Sequence, residues 1–360
     1  MKDNNKQYIV VMEEVDRAGG QRILTSIANS LAKKGKATEV FATLWEKGQS
    51  SYALHSSTKV AAYQNKLKGM IGLINHMRSA CNCIYIMSSC KCIFLYHIFT
   101  KCGVVSKTNQ LVHIVQGDDA ISLVKYANSN VAVKIVNLII IWYVWSLNIS
   151  RVYISNYLKM LHQKEGLVIH NFVADHFKPM HKVVSNQNKI KVGYFLSDSP
   201  NKGKKLFEQI IAGENPIDIE YIVGTRSLYN ITKHQKIIHV MPCDNDQQVY
   251  EFYETIDLFL SLSHSEGFSL TCLEAMAMGK IVISTPSGGV SDFIENRKNG
   301  FIVDHNSNAV AQMLQEIYDG CYDIDSIRRE AIETAKRFTL VSFENSYNAF
   351  LDKIGEPKVT

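Results

Sequence analysis

Residues 258–304 read LFLSLSHSEGFSLTCLEAMAMGKIVISTPSGGVSDFIENRKNGFIVD, a stretch in which apolar runs alternate with polar, glycine-rich turns. The apolar run 256–262 has the length of a buried strand, and the β-branched run 281–285 predicts a second one. Between them, leucine and methionine recur at helical spacing, and Gly279 stands where a helix-ending glycine is expected. Strand, loop, helix and strand make a βαβ unit, in which ligands bind at the carboxyl ends of the strands.

The loop between the first strand and the helix contains groups that can bind a ligand. Gly267 lets the backbone approach a bound molecule, and the amides that open the helix suit a phosphate or diphosphate. Glu266 and Glu274 are separated by seven residues, so both carboxylates can reach one molecule and accept hydrogen bonds from paired sugar hydroxyls. The spacing Thr271-x-x-Glu274 also fits a capping box, in which Glu274 would only satisfy a backbone amide.

The string Glu266-Gly-Phe-Ser-Leu-x-x-x-Glu274 continues with Gly288-Gly289 and Asn299-Gly300. It resembles the nucleotide-sugar site of retaining glycosyltransferases of family 4 (glycosyl transferases group 1), of the bacterial polysaccharide-biosynthesis type. The resemblance implies an α/β protein of the GT-B fold, with two Rossmann-like domains facing a central cleft. It also implies that Glu274 holds the ribose hydroxyls and that Glu266, the first catalytic candidate, holds the donor sugar. The remaining donor contacts that it implies in this loop are Gly267, Phe268, Ser269 and Leu270.

The beginning of the chain resembles the amino-terminal unit of the same enzymes. An apolar run leads into Gly19-Gly20 and a helical pattern, and the resemblance implies that this turn approaches the donor phosphate and the acceptor. Gln116 stands where many members have histidine, which removes a general-base role because an amide does not titrate. Asp118 then becomes the local catalytic candidate, with Gln116 and Asp119 on the acceptor side, although aspartate at a turn or a helix cap is common.

Two cations neutralise the donor diphosphate in these enzymes. Lys202-Gly203 matches the family's Lys-Gly pair at the opening of a helix, so Lys202 is the expected catalytic phosphate contact. The family's arginine is missing, because Gly193 is followed by Tyr194. Arg226, after a later strand, could supply that charge to the donor. The reaction would then rely on electrostatic stabilisation and need neither a metal nor a cofactor.

The length of 360 residues suggests two or three domains. Residues 169–179 resemble the motif that ends the first domain in this family. We therefore expect an acceptor-binding domain at 1–175 and a nucleotide-sugar-binding domain at 189–335, joined by a polar linker at 180–188. In the fold resembled, a last helix at 336–360 would cross back to the first domain.

The charge of the chain is divided unevenly. Residues 1–175 contain 20 Lys/Arg and 10 Asp/Glu, a net +10, whereas residues 176–360 contain 19 and 24, a net −5. A basic half can meet nucleic acid, an anionic substrate or an anionic membrane surface, and no zinc finger, RNP motif or helix-turn-helix signature favours nucleic acid.

Two apolar segments are candidates for contact with a membrane. Residues 59–78 combine lysines with a helical apolar face, which fits either a membrane-surface helix or a helix packed on the sheet. Residues 131–147 are too short and interrupted to span a bilayer, and predict a buried or interface-seated helix.

The cysteines and the acidic pairs do not favour a metal site. Five of the eight cysteines cluster between 81 and 102 without the usual two-residue gap, so buried reduced thiols are favoured over zinc. Asp244-x-Asp246 precedes a helical stretch and is better explained by helix capping. No signal peptide opens the sequence, which favours the cytoplasm, with peripheral binding to the inner face of the plasma membrane as an option.

The sequence therefore predicts a retaining, hexosyltransferase-like, metal-independent glycosyltransferase. It would move a sugar from a nucleotide diphosphate to a glycan or lipid-linked acceptor in cell-surface polysaccharide biosynthesis. Two alternatives stay open: a non-catalytic subunit that binds nucleotide sugar, and a sugar-nucleotide epimerase of the same fold. The sugar, the base and the acceptor are not determined.

Overall fold

The computed structural model describes residues 6–15, 19–45, 52–118, 130–179, 189–197, 199–213, 217–226 and 237–356. The chain forms two compact units. The first comprises Met1–Ile154, Leu158–Ile169 and Val341–Thr360, and the second comprises Ser155–Tyr157 and His170–Leu340. The predicted linker at 180–188 lies outside the described residues.

The first unit contains a parallel sheet. Its described strands are β1 (Gln7–Met12), β2 (Thr38–Ala42), β3 (Lys59–Ala62), β4 (Cys83–Met87), β5 (Gln110–Val115), β6 (Ser150–Tyr153) and β7 (Leu167–Val168). The helices in this part of the chain are α1 (Gly19–Lys33), α2 (Lys66–Ser79), α3 (Cys90–Lys101), α4 (Val131–Ser146) and α5 (Asn156–His162). The strand order is β3-β2-β1-β4-β5-β6-β7. Strand β1 pairs with both β2 and β4 and is buried from Tyr8 onward, as expected for a central parallel strand.

The second unit repeats this architecture. Its described strands are β8 (Ile190–Leu196), β9 (Ile219–Thr225), β10 (Ile237–Pro242), β11 (Leu258–Ser261), β12 (Ile281–Ser284) and β13 (Phe301–Ile302). Its helices are α6 (Lys204–Ala212), α7 (Asp246–Thr255), α8 (Leu270–Ala277), α9 (Ser307–Tyr318) and α10 (Ile324–Ala335). The strand order, β10-β9-β8-β11-β12-β13, reverses direction between β8 and β11. Such a switch point opens a crevice at the carboxyl ends of the two strands, where ligands bind. The predicted α/β class with two Rossmann-like units is confirmed.

The last helix, α11 (Leu340–Gly355), joins the first unit. The amide of Asn348 donates a hydrogen bond to the Ser30 hydroxyl at 2.6 Å, and both residues are buried. Lys33 and Glu344 form an ion pair at 2.8 Å. These contacts tie α11 to α1.

The predicted helix at 59–78 was wrong in its bounds, whereas the alternative of a helix packed on the sheet is confirmed for Lys66–Ser79. Lys59 lies in β3, at the edge of the sheet, and the helix begins only at Lys66. Leu73 and Met77, on the predicted apolar face, are fully buried in the core of the first unit. This apolar face is therefore already covered by protein.

The prediction that 131–147 is buried was also wrong for most of the segment. Val144 is the buried residue of α4, whereas Trp142 and Ile139 are 72% and 58% exposed. The alternative, a helix seated at an interface, stays a prediction. In the described part of the chain, every helix is too short or too polar to cross a membrane.

The five cysteines of the predicted cluster are not joined by disulfides. Cys83, Cys90 and Cys92 are buried, as expected for reduced thiols, but Cys81 and Cys102 are exposed. Among the described residues, no group of three or more His, Cys, Asp or Glu is arranged to hold a metal ion. At the acidic pair 244–246, the side chain that caps the helix is that of Asn245, which accepts from the Gln248 amide at 2.9 Å.

Asp292 holds several segments of the second unit together. Its Oδ2 accepts hydrogen bonds from the Asn156 backbone N–H at 2.6 Å and from His170 Nε2 at 2.8 Å. Its Oδ1 accepts from the Tyr157 backbone N–H at 3.2 Å. Burial would raise the pKa of this carboxyl, but the hydrogen bonds outweigh burial and leave the pKa below its usual value.

We expect Asp292→Asn to lower the free energy of unfolding by about 2 kcal/mol at pH 7, because a charged acceptor of several hydrogen bonds is lost. The carboxylate is protonated more readily in the unfolded chain, so its contribution is present above a pH of about 4 and is lost as the pH falls through the lower, folded pKa. Urea unfolding of both proteins at pH 7 and pH 3 measures this effect. The difference between them should shrink at pH 3, and an equal difference at the two pH values would contradict the prediction.

Candidate functional site

Two loops meet at the switch point of the second unit. The first follows β8 and contains a short 3-10 turn, Pro200–Lys202. The second follows β11 and ends at Ser269, where α8 begins. Because β8 and β11 are parallel neighbours, both loops lie at the carboxyl edge of the sheet.

The side chains of these loops meet at Glu266. Its Oε1 is 2.7 Å from Lys202 Nζ, and the same oxygen accepts a hydrogen bond from the Ser263 hydroxyl at 2.7 Å. The Glu266 side chain is 13% exposed and that of Lys202 is 42% exposed. The ion pair is therefore accessible from the lysine side, where an anionic ligand could reach the ammonium group.

Hydrogen bonds to backbone carbonyls hold the two loops together. The Asn201 amide donates to the Ser265 carbonyl at 2.6 Å, and the His264 backbone N–H donates to the Asn201 carbonyl at 2.8 Å. Gly203 has φ +79°, and a Cβ there would lie 2.0 Å from the Leu262 carbonyl oxygen. Only glycine permits this approach, which brings Lys202 against the loop of Glu266.

A third loop, after β12, completes the edge. The Glu266 backbone N–H donates to the Ser287 carbonyl at 2.6 Å, and the Gly289 N–H donates to the Glu266 carbonyl at 2.9 Å. A Cβ on Gly289 would lie 2.4 Å from the Gly267 carbonyl oxygen. The predicted Gly288-Gly289 pair thus lets the backbone of the β12 loop lie directly against the loop of Glu266.

Glu274 lies inside α8 and not at its cap. The helix begins at Leu270, and Ser269, in a left-handed conformation at φ +70°, occupies the N-cap position. Thr271 is therefore not the N-cap, and the capping-box interpretation is wrong. Glu274 is 4% exposed, and its Oε2 lies 3.3 Å from the Tyr253 hydroxyl, which makes a shorter hydrogen bond, at 2.8 Å, to the Thr271 carbonyl. Burial and the Glu274 carboxylate raise the pKa of Tyr253, so this phenol stays a donor.

Other predicted donor contacts lie in different surroundings. The Phe268 ring is buried and packs against Phe293, Phe338 and His170, so only its backbone can face a ligand. Tyr194, where the family's arginine is missing, is buried and stacks on Phe207 at 4.2 Å. Arg226 is exposed at the end of β9, separated from β11 by β8. Gly267 and Leu270 flank the turn that opens α8.

The candidates of the first unit lie at the carboxyl edge of its sheet. Gly20, in the first turn of α1, lies against Gln116, because a Cβ on this glycine would lie 2.3 Å from the Gln116 amide oxygen. Gly19 is the first residue of the same helix. Asp118 is buried, with 8% of its surface exposed. Its negative charge raises the pKa of His162, but burial of that imidazole has the larger effect and lowers the pKa below its usual value. Asp119 lies outside the described residues.

The sequence did not predict two groups of polar contacts, one in each unit. Ser263 and Asn201 hold Glu266 and its loop, but a serine or an asparagine in a polar turn carries no signal of such a partner. A second cluster lies at the carboxyl ends of β1 and β4, where Glu13 accepts from the Ser89 hydroxyl at 2.6 Å and pairs with Lys66 at 2.9 Å. This cluster can be found only from the order of the strands in the sheet, which the sequence alone does not reveal.

The chain is similar in sequence to known glycosyltransferases. Residues 210–338 match the family described as "Glycosyl transferases group 1". A D-inositol 3-phosphate glycosyltransferase of Paenarthrobacter aurescens is 26% identical over 129 residues, 36% of this chain and 30% of the relative. The O-antigen biosynthesis glycosyltransferase WbnH of Escherichia coli is 24% identical over 155 residues, 42% of this chain and 43% of the relative. The match thus spans less than half the length of either relative.

Solved structures match nearly the whole chain. A sucrose-phosphate synthase from Thermosynechococcus elongatus superposes with a TM-score of 0.78 at 13% identity, covering 97% of this chain and 99% of that one. Anabaena Alr3699/HepE in complex with UDP-glucose superposes with a TM-score of 0.70 at 16% identity, covering 96% and 99%. The GT-B fold and the resemblance to glycosyl transferases group 1 are confirmed.

We expect Gly289→Ala to destabilise the second unit by about 1–3 kcal/mol, because the new methyl group meets backbone atoms of Gly267 and Phe268 that cannot rotate away. Gly213→Ala is the matched control, since its Cβ would make ordinary contacts at 3.5 Å and its φ is −68°. Urea unfolding should show a lower midpoint for Gly289→Ala and no loss for Gly213→Ala. Equal midpoints for Gly289→Ala and wild type would contradict the described contact between the loops.

Proposed function

We propose that this chain, whose residues 210–338 match glycosyl transferases group 1, transfers a sugar from a nucleotide-diphosphate donor with retention at the anomeric carbon. One observation carries this proposal. The Lys202–Glu266 pair, at 2.7 Å, lies at the switch point of the second unit beside the start of α8. A cation, a carboxylate and a helix start in one crevice match a substrate that is anionic at one end and rich in hydroxyls at the other.

The chemistry depends on where negative charge develops. When the bond from the sugar to the diphosphate breaks, charge accumulates on the leaving phosphate. In this proposal, Lys202 and the backbone around Gly267, Ser269 and Leu270 stabilise that charge, so the chain supplies electrostatic catalysis without a metal. Lys202 would exchange its contact with Glu266 for the phosphate.

The two glutamates then bind different parts of the donor. Release of Lys202 leaves the Glu266 carboxylate, oriented by Ser263, to accept hydrogen bonds from the donor sugar. Glu274 would accept from the ribose hydroxyls, with Tyr253 fixing one of its oxygens. The UDP-glucose in the Anabaena HepE complex supports a nucleotide sugar as the donor class.

The acceptor is proposed on chemical grounds and on similarity. An O-antigen glycosyltransferase among the relatives supports a glycan or lipid-linked acceptor in cell-surface polysaccharide biosynthesis. We propose that the first unit binds it near Gln116 and Asp118, at the carboxyl edge of its own sheet. A lipid-linked acceptor implies work at the inner face of the plasma membrane, as a peripheral enzyme of the cytoplasm.

We expect Glu274→Gln to weaken donor binding and Glu266→Gln to lower turnover more than donor affinity. Nucleotide-sugar binding, measured as the rise in melting temperature across a panel of nucleotide sugars that includes UDP-glucose, identifies the donor. Release of nucleotide diphosphate that depends on an acceptor then measures turnover. Wild-type behaviour of both variants with the identified donor would refute the assignment, and donor binding without acceptor-dependent release in the wild type would favour a non-catalytic subunit.

We expect Lys202→Ala to lower turnover by about 10²-fold, the usual effect of removing one preorganised electrostatic donor. Lys205→Ala is the control, because it removes an equal charge three positions away on an exposed side chain. Activity should also persist in excess chelator. A strict requirement for a divalent ion, or equal losses in the two lysine variants, would show that leaving-group stabilisation by Lys202 is wrong.

A further inference from the structure

Helix α4 exposes an apolar stripe along its length. The exposed side chains Val131, Ile135, Ile139 and Trp142 recur at positions i, i+4, i+8 and i+11, which lie on one face of a helix. Trp142 is 72% exposed and Ile135 is 53% exposed. The opposite face holds the helix to the protein, through buried Val144 and through Tyr143, which contacts Phe94 of α3.

Such a stripe is unusual for a helix on a protein surface. Surface helices normally turn polar side chains outward, and a helix that is apolar all round is normally covered. Single exposed apolar residues need no explanation, but a contiguous row of this kind marks an interaction site. Helix α3 packs against both α4 and α2, and α2 also has exposed apolar side chains, Leu67 and Ile71.

The charge around the stripe identifies the class of partner. Helices α2, α3 and α4 together contain no aspartate or glutamate. Their cations are Lys68, Arg78, Lys91, Lys101 and Lys134, together with Lys66, which pairs with Glu13. Across residues 47–164 the chain has 13 Lys/Arg and two acidic residues, at 118 and 119. An apolar protein partner does not require one sign of charge over so long a stretch. A surface that combines hydrocarbon with negative headgroups does.

We infer that α4 docks the first unit on an anionic lipid bilayer, with Ile135, Ile139 and Trp142 inserted at the boundary between headgroups and acyl chains. The 16-residue helix is about 24 Å long, shorter than the roughly 30 Å hydrocarbon core, so it lies along the surface. Tryptophan favours this depth because its ring is apolar and its N–H can meet a polar headgroup. The inference deepens the proposed function and rests on its lipid-linked acceptor. It places the docking surface on α4 and not on residues 59–78.

The test is co-sedimentation of the full chain with phosphatidylcholine vesicles that contain increasing fractions of phosphatidylglycerol. Binding should rise with the anionic fraction and weaken as salt is added. Ile139→Ser should weaken binding roughly tenfold, and Ile135→Ser/Ile139→Ser roughly a hundredfold, because inserted aliphatic side chains return to water. Val341→Ser is the matched control, since Val341 is 64% exposed on α11, which contacts α1.

Trp142 supplies a second readout. On vesicle addition the fluorescence of the wild type should shift to the blue and be quenched by brominated lipids, because this tryptophan enters the apolar boundary. Trp142→Phe should keep most of the binding and lose most of the shift. A wild-type shift that persists unchanged in Trp142→Phe would overturn the assignment of α4.

Three other outcomes would overturn the inference. Equal recovery with neutral and anionic vesicles would exclude the anionic partner, and equal binding of wild type and Ile139→Ser would exclude the stripe. A doubled mass in light scattering that Ile139→Ser returns to the monomer would assign the stripe to a second copy of the chain. Donor binding, measured without vesicles by thermal shift, should be the same in wild type and Ile139→Ser, so a failure of docking is distinguishable from a failure of the proposed donor site.

Discussion

Glu266 connects the three loops at the switch point of the second unit through both its side chain and its backbone. Its carboxylate binds Lys202 from the loop after β8 and Ser263 from the loop after β11, while its backbone pairs with Ser287 and Gly289 after β12. A carboxylate that is nearly buried requires such partners, since removing one would leave an uncompensated charge. In the proposed reaction, a donor that takes Lys202 must therefore supply new donors to Glu266, which the hydroxyls of a sugar can do.

The parts of the site that the sequence predicts are formed by residues that lie close together in the chain. The βαβ unit, the loop of Glu266 and the glycine pair at 288–289 follow from periodicity and from a motif contained within one segment. The capping-box ambiguity at Glu274 needed the structure, because only the left-handed conformation of Ser269 shows where α8 begins. Asn201 was not predicted, since its contact with Ser265 depends on how two loops 64 residues apart in sequence approach each other. Ser263 was not predicted either, although it lies only three residues before Glu266, because a serine in a polar turn gives no signal of its partner.

The two apolar segments of the first unit that were partly mispredicted lie in opposite environments. The apolar face of α2 is buried because this helix packs against the sheet, with Leu73 and Met77 in the core. Lys59, which precedes this helix in the chain, belongs to β3, where a charged side chain protects an edge strand from pairing with another chain. Helix α4 is more apolar, yet its outer face is not covered. Hydrophobicity alone predicts that a helix buries an apolar face, but α4 packs against α3 on one side and leaves its outer apolar face exposed.

The two halves of the chain require different kinds of electrostatics. Residues 176–360 carry a net −5, so long-range attraction cannot concentrate an anionic donor there, and salt screens such fields within about 10 Å. Donor recognition must come from groups in direct contact, which makes Lys202 and the start of α8 more important than the overall charge. Residues 1–175 carry +10, enough to attract an extended anionic surface without any specific contact. The net negative charge of the second half opposes an anionic donor, which is consistent with a donor site built from local contacts. The net positive charge of the first half favours an anionic surface, which is consistent with a docking face that attracts through its overall charge.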